Sequence, residues 1–280
     1  MFFKEIQMLK DWIYRDESFI DFSAYALRNN VCEAEIIFKS NDCILSGVDV
    51  LNALMKEFSL HIEFYFSDSD KIINDENNVL IGRIKGDAYN VLLCERTFLN
   101  VLSLMSATAT KTNLMAEKLL NTNTGTKIAA TRKIIPGVGY LQKLAVINGG
   151  GDTHRMNLND AIMIKDNHIV LYGGIENALD VVKKYSSFSK KIEIETKNEV
   201  EALLAAKKGA DIIMLDNFNA EDAKITAAKI KGISPLICVE VSGGISEDSF
   251  LCYADKNIDV ISMGKLTSEI KYLDFSLNVK

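Results

Sequence analysis

The stretch KIEIETKNEVEALLAAKKGADIIMLDN (191–217) decides the fold, because it places a helix between two strands. Its ends, KIEIET and DIIMLDN, are short apolar runs, which predict buried strands. Between them, VEALLAAKKGA (200–210) has its apolar residues at helical spacing. Two strands joined by a long helical crossover pair in parallel, so this stretch predicts one unit of a parallel α/β sheet.

Four further runs of the same kind lie on either side of this stretch. They are KIAATRK (127–133), AIMIKDNH (161–168), LICVEVSGG (236–244) and IDVISMG (258–264). A second helical segment, AEDAKITAAKI (220–230), continues the alternation. Six such units fall short of the eight in a complete (β/α)₈ barrel. The predicted fold class is therefore α/β, with an incomplete, about six-stranded parallel α/β barrel.

The first hundred residues follow a different pattern. Segments 33–47, 59–70 and 79–89 predict strands with turn-rich ends, and DVLNALMKEF (49–58) has helical spacing. A long Ala-, Leu- and Met-rich helix is predicted over 95–120. We therefore expect an N-terminal α/β sandwich over 1–104, to which the strand-like end 270–280 returns, and a barrel over 105–269.

Composition restricts the class of protein. The chain has 280 residues, of which 48% are apolar and 25% charged, as in soluble globular proteins. Charges throughout the first 17 residues argue against a signal peptide or a membrane span there. The net charge of −6 argues against a nucleic-acid partner. Five cysteines without a CxxC motif predict reduced thiols in a cytoplasmic protein with no membrane partner.

Cationic side chains follow several of the predicted strands. Arg132 and Lys133 end the run at 127–133, and Lys165 follows the apolar part of the next run. The segment GGGDTHR, between these two runs, adds His154 and Arg155 after three glycines. Because the carboxyl ends of parallel strands meet at one edge of a sheet, these cations predict a shared anion site.

Each of these cations also has a structural alternative. The TRK segment (131–133) is compatible with a solvated turn, and His154 with a hydrogen-bonded structural histidine. Lys165 is compatible with an ion pair to Asp166 or Glu195. The anion site is favoured by the convergence of the cations and not by any one of them.

Two acids and a set of glycines complete the predicted strand ends. Glu195 and Asp216 lie on successive strands, where they suit Mg²⁺ binding, ribose-hydroxyl binding or stabilisation of a positive transition state. A structural role for either acid stays open. The last two strand ends predict a phosphate cradle of backbone N–H groups. Its residues are Ser242, Gly243, Gly244 and Gly264.

Several cations, two acids and a phosphate cradle fit a transferase that handles a sugar phosphate and an organic acid. In this order the motifs resemble the quinolinate phosphoribosyltransferase family, also called nicotinate-nucleotide pyrophosphorylase (carboxylating). The motifs that carry the resemblance are ERT (95–97), TRK and PG (131–137), GGG and THR (149–155), MIKDNH (163–168), IEIE (192–195), GADIIMLDNF (209–218), SGGI (242–245) and ISMG with LT (261–267).

The resemblance implies an activity and an assembly. Members condense quinolinate with phosphoribosyl pyrophosphate, release pyrophosphate and carbon dioxide, and form nicotinate mononucleotide for NAD synthesis. It implies Mg²⁺ as the cofactor and an N-terminal α/β sandwich beside an incomplete barrel. It also implies a homodimer with shared active sites, in which the partner's N-terminal module covers each barrel mouth.

The resemblance also implies roles for individual residues. Arg96 would reach a quinolinate carboxylate from the neighbouring subunit. The rest of the dicarboxylate pocket would be Arg132, His154, Arg155 and Lys165. Lys133 would face the pyrophosphate or phosphates, while Glu195 and Asp216 would hold Mg²⁺, directly or indirectly, and the ribose hydroxyls. The catalytic set would be Glu195, Asp216, Lys133 and Lys165. The 5′-phosphate would lie on Ser242, Gly243, Gly244 and Gly264.

Departures from the family's pattern leave alternatives open. Ala130, Ile134, Ile135 and Gly139 stand where the family has polar or charged residues, and the acidic stretch expected near the start of the chain is altered. One alternative is a paralogue associated with molybdenum uptake that acts on another acidic acceptor. A second is a Schiff-base lyase with Lys165 as nucleophile, and a third is a silent sensor of a phosphorylated ligand.

Overall fold

The computed structural model describes residues 2–75 and 78–280 as two compact units. Unit 1 comprises Met1–Asn113, Ile134–Gly150 and Leu266–Lys280, and unit 2 comprises Leu114–Lys133 and Gly151–Lys265. The division between Asn113 and Leu114 falls nine residues after the predicted one and, like it, lies inside the long helix. Residues 134–150 also belong to unit 1, because their apolar side chains pack into that unit's core.

Strands and helices alternate along most of the chain. The strands are β1 (Val31–Phe38), β2 (Cys43–Ile44), β3 (His61–Phe64), β4 (Lys71–Ile72), β5 (Val79–Asp87), β6 (Lys127–Ala129), β7 (Ile162–Ile164), β8 (Ile192–Thr196), β9 (Ile212–Asp216), β10 (Cys238–Ser242), β11 (Val260–Ser262) and β12 (Phe275–Val279). The α-helices are α1 (Phe3–Glu17), α2 (Val48–Lys56), α3 (Ala88–Leu120), α4 (Gly139–Asn148), α5 (Asp166–Tyr172), α6 (Ile175–Tyr185), α7 (Glu199–Lys207), α8 (Ala220–Ile233) and α9 (Lys265–Ser268).

Unit 1 is built on a four-stranded antiparallel sheet with the strand order β12-β1-β5-β3. Strand β1 alternates between faces, so that Ala34, Ile36 and Phe38 are buried while their neighbours are less so. The last strand, β12, lies beside β1, and the rings of Phe38 and Phe275 meet at a centroid distance of 5.0 Å. The sheet therefore presents one apolar face to a helical layer.

Helix α1 was not predicted from the sequence. Its apolar residues Ile6, Leu9 and Ile13 recur every three or four positions and are buried, whereas charged residues fill the opposite side. These three side chains join the core of unit 1 together with residues of α2 and the sheet. The charges that argued against a membrane span are thus the solvent face of an amphipathic helix.

Helix α3, whose residues up to Asn113 belong to unit 1, begins seven residues before the predicted start at 95. The carboxylate of Asp87, directly before the helix, accepts the backbone N–H of Asn90 (3.2 Å), which satisfies one of the unpaired first-turn donors. The helix is long and apolar enough to cross a membrane, but 67% of its most apolar window is buried within the protein. This degree of burial is typical of a core helix.

Unit 2 contains a six-stranded parallel sheet with the order β6-β11-β10-β9-β8-β7. Strands β6 and β7 form its two edges, so the barrel is incomplete, as predicted. Outside β6, Asp152 adds a single parallel bridge to Ala129. Helices α7 and α8 each begin at an asparagine, Asn198 and Asn219, whose side chain accepts a first-turn N–H.

Several predicted strands are shorter than their runs, and one run continues into a helix. The run AIMIKDNH forms strand only over Ile162–Ile164, and α5 begins at Asp166. The backbone N–H of Lys165 donates to His168 Nδ1 (2.9 Å), which ties the strand end to the first turn of the helix. Asp166 and His168 are therefore helical residues, while Lys165 keeps its place at the strand end.

Candidate active site

The carboxyl ends of the parallel strands bring the predicted residues of unit 2 to one edge of the sheet. Asp216 and Ser242 are the last residues of β9 and β10, where they pair in register. Lys165 directly follows β7, and Glu195 is the penultimate residue of β8. Arg96 belongs to unit 1, where it lies more than two turns inside α3 instead of at its start. The other predicted residues in unit 2 are Arg132, Lys133, His154, Arg155, Gly243, Gly244 and Gly264.

Lys165 forms an ion pair with Glu195 across neighbouring strands. Its Nζ contacts Glu195 Oε1, and the side chains are 43% and 15% exposed, respectively. Asp166, the other acid considered for this lysine, instead pairs with Lys197 (3.3 Å). The backbone N–H of Asn167 and the charge of Lys197 hold the pKa of Asp166 below its usual range. The ammonium of Lys165 therefore contacts Glu195. The lysine side chain is about half exposed, whereas the glutamate side chain is mostly buried.

His154 lies against two acids that were not among the predicted site residues, Glu193 and Glu240. Its Nε2 is 3.4 Å from Glu193 Oε2 and 3.3 Å from Glu240 Oε2. Glu193 is fully buried and Glu240 nearly so. Burial opposes a charge on the ring, but the two carboxylates outweigh it and raise the pKa of His154 to about 10. Burial also raises the pKa of Glu193, so this cluster attracts protons.

The other ring nitrogen of His154 limits where such a proton can reside. The backbone N–H of Arg155 donates to His154 Nδ1 over 2.7 Å. A nitrogen that accepts a hydrogen bond carries no proton, and an imidazolium has a proton on both nitrogens. The acids favour a second proton on the ring, but a distance of 2.7 Å at Nδ1 leaves no room for two opposed N–H groups. The ring in this conformation is therefore the Nε2–H tautomer.

Arg155 is a partly buried cation next to a second one. Its guanidinium contacts the carbonyl oxygen of Ala161 (3.4 Å) and Sδ of Met163 (3.1 Å). Burial and, after it, the positive charge of Arg132 lower the pKa of Arg155. Arg132 is exposed and Arg155 is partly buried, and two neighbouring guanidinium groups that repel each other are stabilised when an anion lies between them. This pair is the strongest indication of an anion site in unit 2.

Glu193 and Glu240 could have been found from strand alternation. Glu193 stands two residues before Glu195 in β8, and Glu240 stands two before Ser242 in β10, so each lies on the same face as a predicted site residue. An acid at an inward position of an otherwise apolar strand has to be paired or functional. Their partner, His154, comes from a distant segment, and no local pattern connects it to them.

The loops after β9 and β10 touch through a glycine. Gly243 has a φ of +92°, and a Cβ at this position would lie 2.4 Å from Asn217 Oδ1 and 2.7 Å from its backbone nitrogen. Asn217 in turn donates its backbone N–H to the carbonyl of Ser242 (2.9 Å) and its Nδ2 to Asp216 Oδ2 (2.8 Å). Only glycine allows both the left-handed backbone and this close approach.

A second glycine brings the ends of β6 and β11 together. A Cβ at Gly264 would lie 2.7 Å from Cδ of Lys133, so the lysine stem rests on the glycine backbone. The backbone N–H of Lys133 donates to Thr131 Oγ1 (3.0 Å), which shapes the turn after β6. Backbone amides beside an ammonium suit a phosphate group.

The residues that depart from the family's pattern are explained by packing. Ala130 is fully buried, and its N–H donates to the carbonyl of Asp152 (2.9 Å). In unit 1, Ile134 fills the space beside Gly139, where a Cβ would lie 2.1 Å from Ile134 Cδ1. The backbone N–H of Ile135 donates to a buried glutamine side chain. These departures therefore form local structure and leave the strand-end cations in place.

Comparison with known proteins agrees with this geometry. Residues 20–106 match the family described as "Quinolinate phosphoribosyl transferase, N-terminal domain", and residues 108–278 match the corresponding C-terminal domain. A Methanothermobacter thermautotrophicus protein named "Probable nicotinate-nucleotide pyrophosphorylase [carboxylating]" is 38% identical over 98% of this chain and 99% of its own length. The Rattus norvegicus nicotinate-nucleotide pyrophosphorylase [carboxylating] is 32% identical over 97% and 90%, respectively.

Solved structures give the same result. The nicotinate-nucleotide pyrophosphorylase of Francisella tularensis superposes with a TM-score of 0.88 at 34% identity, covering 99% of this chain and 96% of its own. A parallel sheet with cations and glycines at its strand ends, together with these matches, identifies an α/β-barrel phosphoribosyltransferase. The chain belongs to the quinolinate phosphoribosyltransferase family. Family membership favours transfer over the lyase and sensor alternatives.

The contact at Gly243 generates a stability prediction. Gly243→Ala should lower the free energy of unfolding by about 2 kcal/mol or more, because alanine resists the left-handed backbone and collides with Asn217. Gly232→Ala is the matched control: this helical glycine has open space around its Cβ position, so alanine should stabilise by about 0.5–1 kcal/mol. Urea unfolding of both variants measures the difference, and equal stabilities would contradict the close approach at Gly243.

Proposed function

We propose a division of tasks among the strand-end residues for the transfer of a phosphoribosyl group to quinolinate. The transfer itself follows from the family: the chain is a pentosyltransferase that makes nicotinate mononucleotide for NAD synthesis. The observation that carries the proposal is the partly buried guanidinium of Arg155, whose pKa is lowered by burial and by the neighbouring charge of Arg132.

The acceptor pocket consists of Arg132, Arg155 and Lys165, with His154 beneath Arg155. Quinolinate carries two carboxylates, and two guanidinium groups and an ammonium match them with charge-assisted hydrogen bonds. Mutual repulsion of the cations is relieved when the dianion binds, so affinity is greater for two carboxylates than for one. The pocket therefore selects a dicarboxylate.

Lys165 connects the acceptor pocket to the reacting centre. In the free chain its ammonium is paired with Glu195. An acceptor carboxylate that reaches Lys165 competes for this ammonium and leaves more of the Glu195 charge to face the ribose. Asp216, whose Oδ2 accepts a hydrogen bond from the neutral amide of Asn217, adds a second carboxylate. Their negative charge would stabilise the oxocarbenium-like centre that forms as pyrophosphate departs.

The phosphate groups are assigned to the glycine-bearing loops. Gly243, Gly244 and Gly264, together with Ser242, offer backbone N–H groups for the 5′-phosphate. Lys133, whose stem packs on Gly264, would face the pyrophosphate. Binding energy from these remote groups positions the anomeric carbon against the pyridine nitrogen.

Magnesium fits the donor set of this site. Glu195 and Asp216 provide half-buried carboxylate oxygens, the ligand type that Mg²⁺ prefers, while Lys165 already engages one oxygen of Glu195. These two residues would hold the ion directly or through water. When bound, Mg²⁺ would neutralise the charge of the departing pyrophosphate. The remaining steps, binding and orienting the two substrates, depend on the chain's own residues.

We also propose a homodimer with shared active sites in the cytoplasm. The support for the shared site is Arg96, a cation of the ERT motif that belongs to unit 1, whereas the other predicted cations belong to unit 2. A reducing compartment is supported by the five free cysteines. Burial raises the pKa of three of their thiols, Cys43, Cys94 and Cys238, to about 12. The partners are the two small-molecule substrates, with neither nucleic acid nor membrane.

The activity is tested by its product and its acceptor. Protein incubated with Mg²⁺, phosphoribosyl pyrophosphate and quinolinate should release nicotinate mononucleotide and carbon dioxide, and chelation of Mg²⁺ should stop the release. Nicotinate, which lacks one carboxylate, is the matched control acceptor and should give no comparable rate. Mass spectrometry of the products decides the result, and equal turnover of both acceptors would contradict a dicarboxylate pocket.

The acceptor role of Arg132 predicts a selective defect. Arg132→Ala leaves one carboxylate of quinolinate without a partner, at a cost of about 2–5 kcal/mol in binding. The KM for quinolinate should therefore rise far more than the KM for phosphoribosyl pyrophosphate. Arg83→Ala, which removes an exposed arginine of unit 1, is the control and should leave both constants unchanged. Equal increases for both substrates would remove Arg132 from the acceptor pocket.

The shared site is tested by mixing two inactive variants. An Arg96→Ala subunit keeps its own strand-end residues, and a Lys165→Ala subunit keeps its own Arg96. After subunit exchange, about half of the dimers are hybrids with one intact site, so activity should recover toward about a quarter of the wild-type value. If mass spectrometry confirms hybrids and no activity returns, Arg96 does not serve the partner's site.

A further inference from the structure

The backbone at His154 is held in an unfavourable conformation. Its φ of +52° lies in the left-handed region, which is unfavourable for a non-glycine residue. Three short contacts support this turn. Asp152 Oδ1 accepts the His154 N–H (2.7 Å), Thr153 Oγ1 donates to the His154 carbonyl (2.7 Å), and the Arg155 N–H donates to His154 Nδ1 (2.7 Å). The ring is therefore part of this turn, and the turn determines the position of the Arg155 backbone.

The far side of the ring is enclosed by two acids on different strands. Glu193 comes from β8 and Glu240 from β10, and β9 pairs between these two strands. The three side chains are 12%, 0% and 4% exposed for His154, Glu193 and Glu240, respectively. Together they span three adjacent strands across the interior of the sheet. Neither acid belongs to the acceptor pocket or the phosphate cradle.

This arrangement is costly unless it serves a purpose. Among the described residues, neither carboxylate oxygen of Glu193 has a hydrogen-bond partner, and nor does Oε1 of Glu240. Buried carboxylates without sufficient donors cost free energy that an apolar core would not. The Nε2 of His154 lies 3.4 Å from Glu193 and 3.3 Å from Glu240, so the acids and the ring form one cluster.

We infer that Glu193 and Glu240 are positioning residues that hold the His154 ring and, through its Nδ1, the left-handed turn that directs Arg155 to the acceptor. This inference rests on the proposed function in one respect, namely that Arg155 binds the quinolinate acceptor. The acids fix the proton at Nε2, which leaves Nδ1 as the acceptor for the Arg155 N–H. The acids therefore act on quinolinate through two residues, without touching it.

A metal ion between the same three residues is the competing occupant. The ligand atoms lie within 4.8 Å of one another, close enough to surround an ion. An ion on Nε2 would place the ring proton on Nδ1, opposite the Arg155 N–H at 2.7 Å. The contact at Nδ1 therefore favours a proton over a metal in this cluster.

The first experiment reads the ring directly and requires no substrate. The chain has only three histidines, so long-range ¹⁵N–¹H spectra of the ring nitrogens resolve His154, assigned by comparison with His61→Gln and His168→Gln. We expect the Nε2–H tautomer in the wild-type protein at neutral pH. In Glu193→Gln and Glu240→Gln, which keep size and polarity, we expect this tautomer to lose its dominance. An imidazolium, an unchanged tautomer in both variants, or stoichiometric zinc in the purified protein would overturn the inference.

The second experiment reads the acceptor. Each Glu→Gln variant should raise the KM for quinolinate by about tenfold or more, the scale of a misplaced binding group, and leave the KM for phosphoribosyl pyrophosphate within about twofold. Glu221→Gln, an exposed position on α8, is the matched control and should change neither constant. If the KM values for both substrates rise equally, the two acids have only a structural role. If the ring behaves as expected but no quinolinate binds, the proposed function fails and the positioning of His154 stands.

Discussion

The rest of the site depends on one constraint, which is that the six strands of unit 2 pair in parallel. Because all six strands of unit 2 run the same way, residues separated by many positions in sequence reach one edge together. The pairing of Asp216 with Ser242 is an example, since it places an acid beside the first residue of the glycine cradle. The site's chemistry is thus assembled by backbone hydrogen bonds, and side chains refine it.

The charged side chains at the carboxyl-end edge of this sheet lie at two depths. Near the mouth, Lys165 pairs with Glu195, while deeper in the sheet His154 meets Glu193 and Glu240. Glu195 lies against the ammonium of Lys165, and Glu193 and Glu240 lie against the ring of His154. These acids reduce the free-energy cost of placing cationic and N–H groups in partly buried positions. The guanidinium of Arg155 lies next to Arg132, whose positive charge opposes it, and it also feels the negative charges of Glu193 and Glu195.

Much of this organisation could be predicted from the sequence, because the apolar runs and the residues that follow them are local signals. The six strands, the incomplete barrel and the strand-end cations of unit 2 are of this kind. Helix α1 was missed because charges separate Ile6, Leu9 and Ile13, and the strand at 161–168 was extended too far because Asp166 begins a helix. Glu193 and Glu240 were missed for a different reason. Their meaning depends on His154, which only the tertiary fold brings to them.

The packing of Ile134 against Gly139 restricts how this loop can evolve. A side chain at 139 meets the terminal carbon of Ile134, so a substitution at 139 requires the isoleucine to move. The two positions are therefore coupled, and the effect of a substitution at 139 depends on the residue at 134. A library that varies both positions would open routes to new polar contacts in this loop that are harder to reach by varying 139 alone.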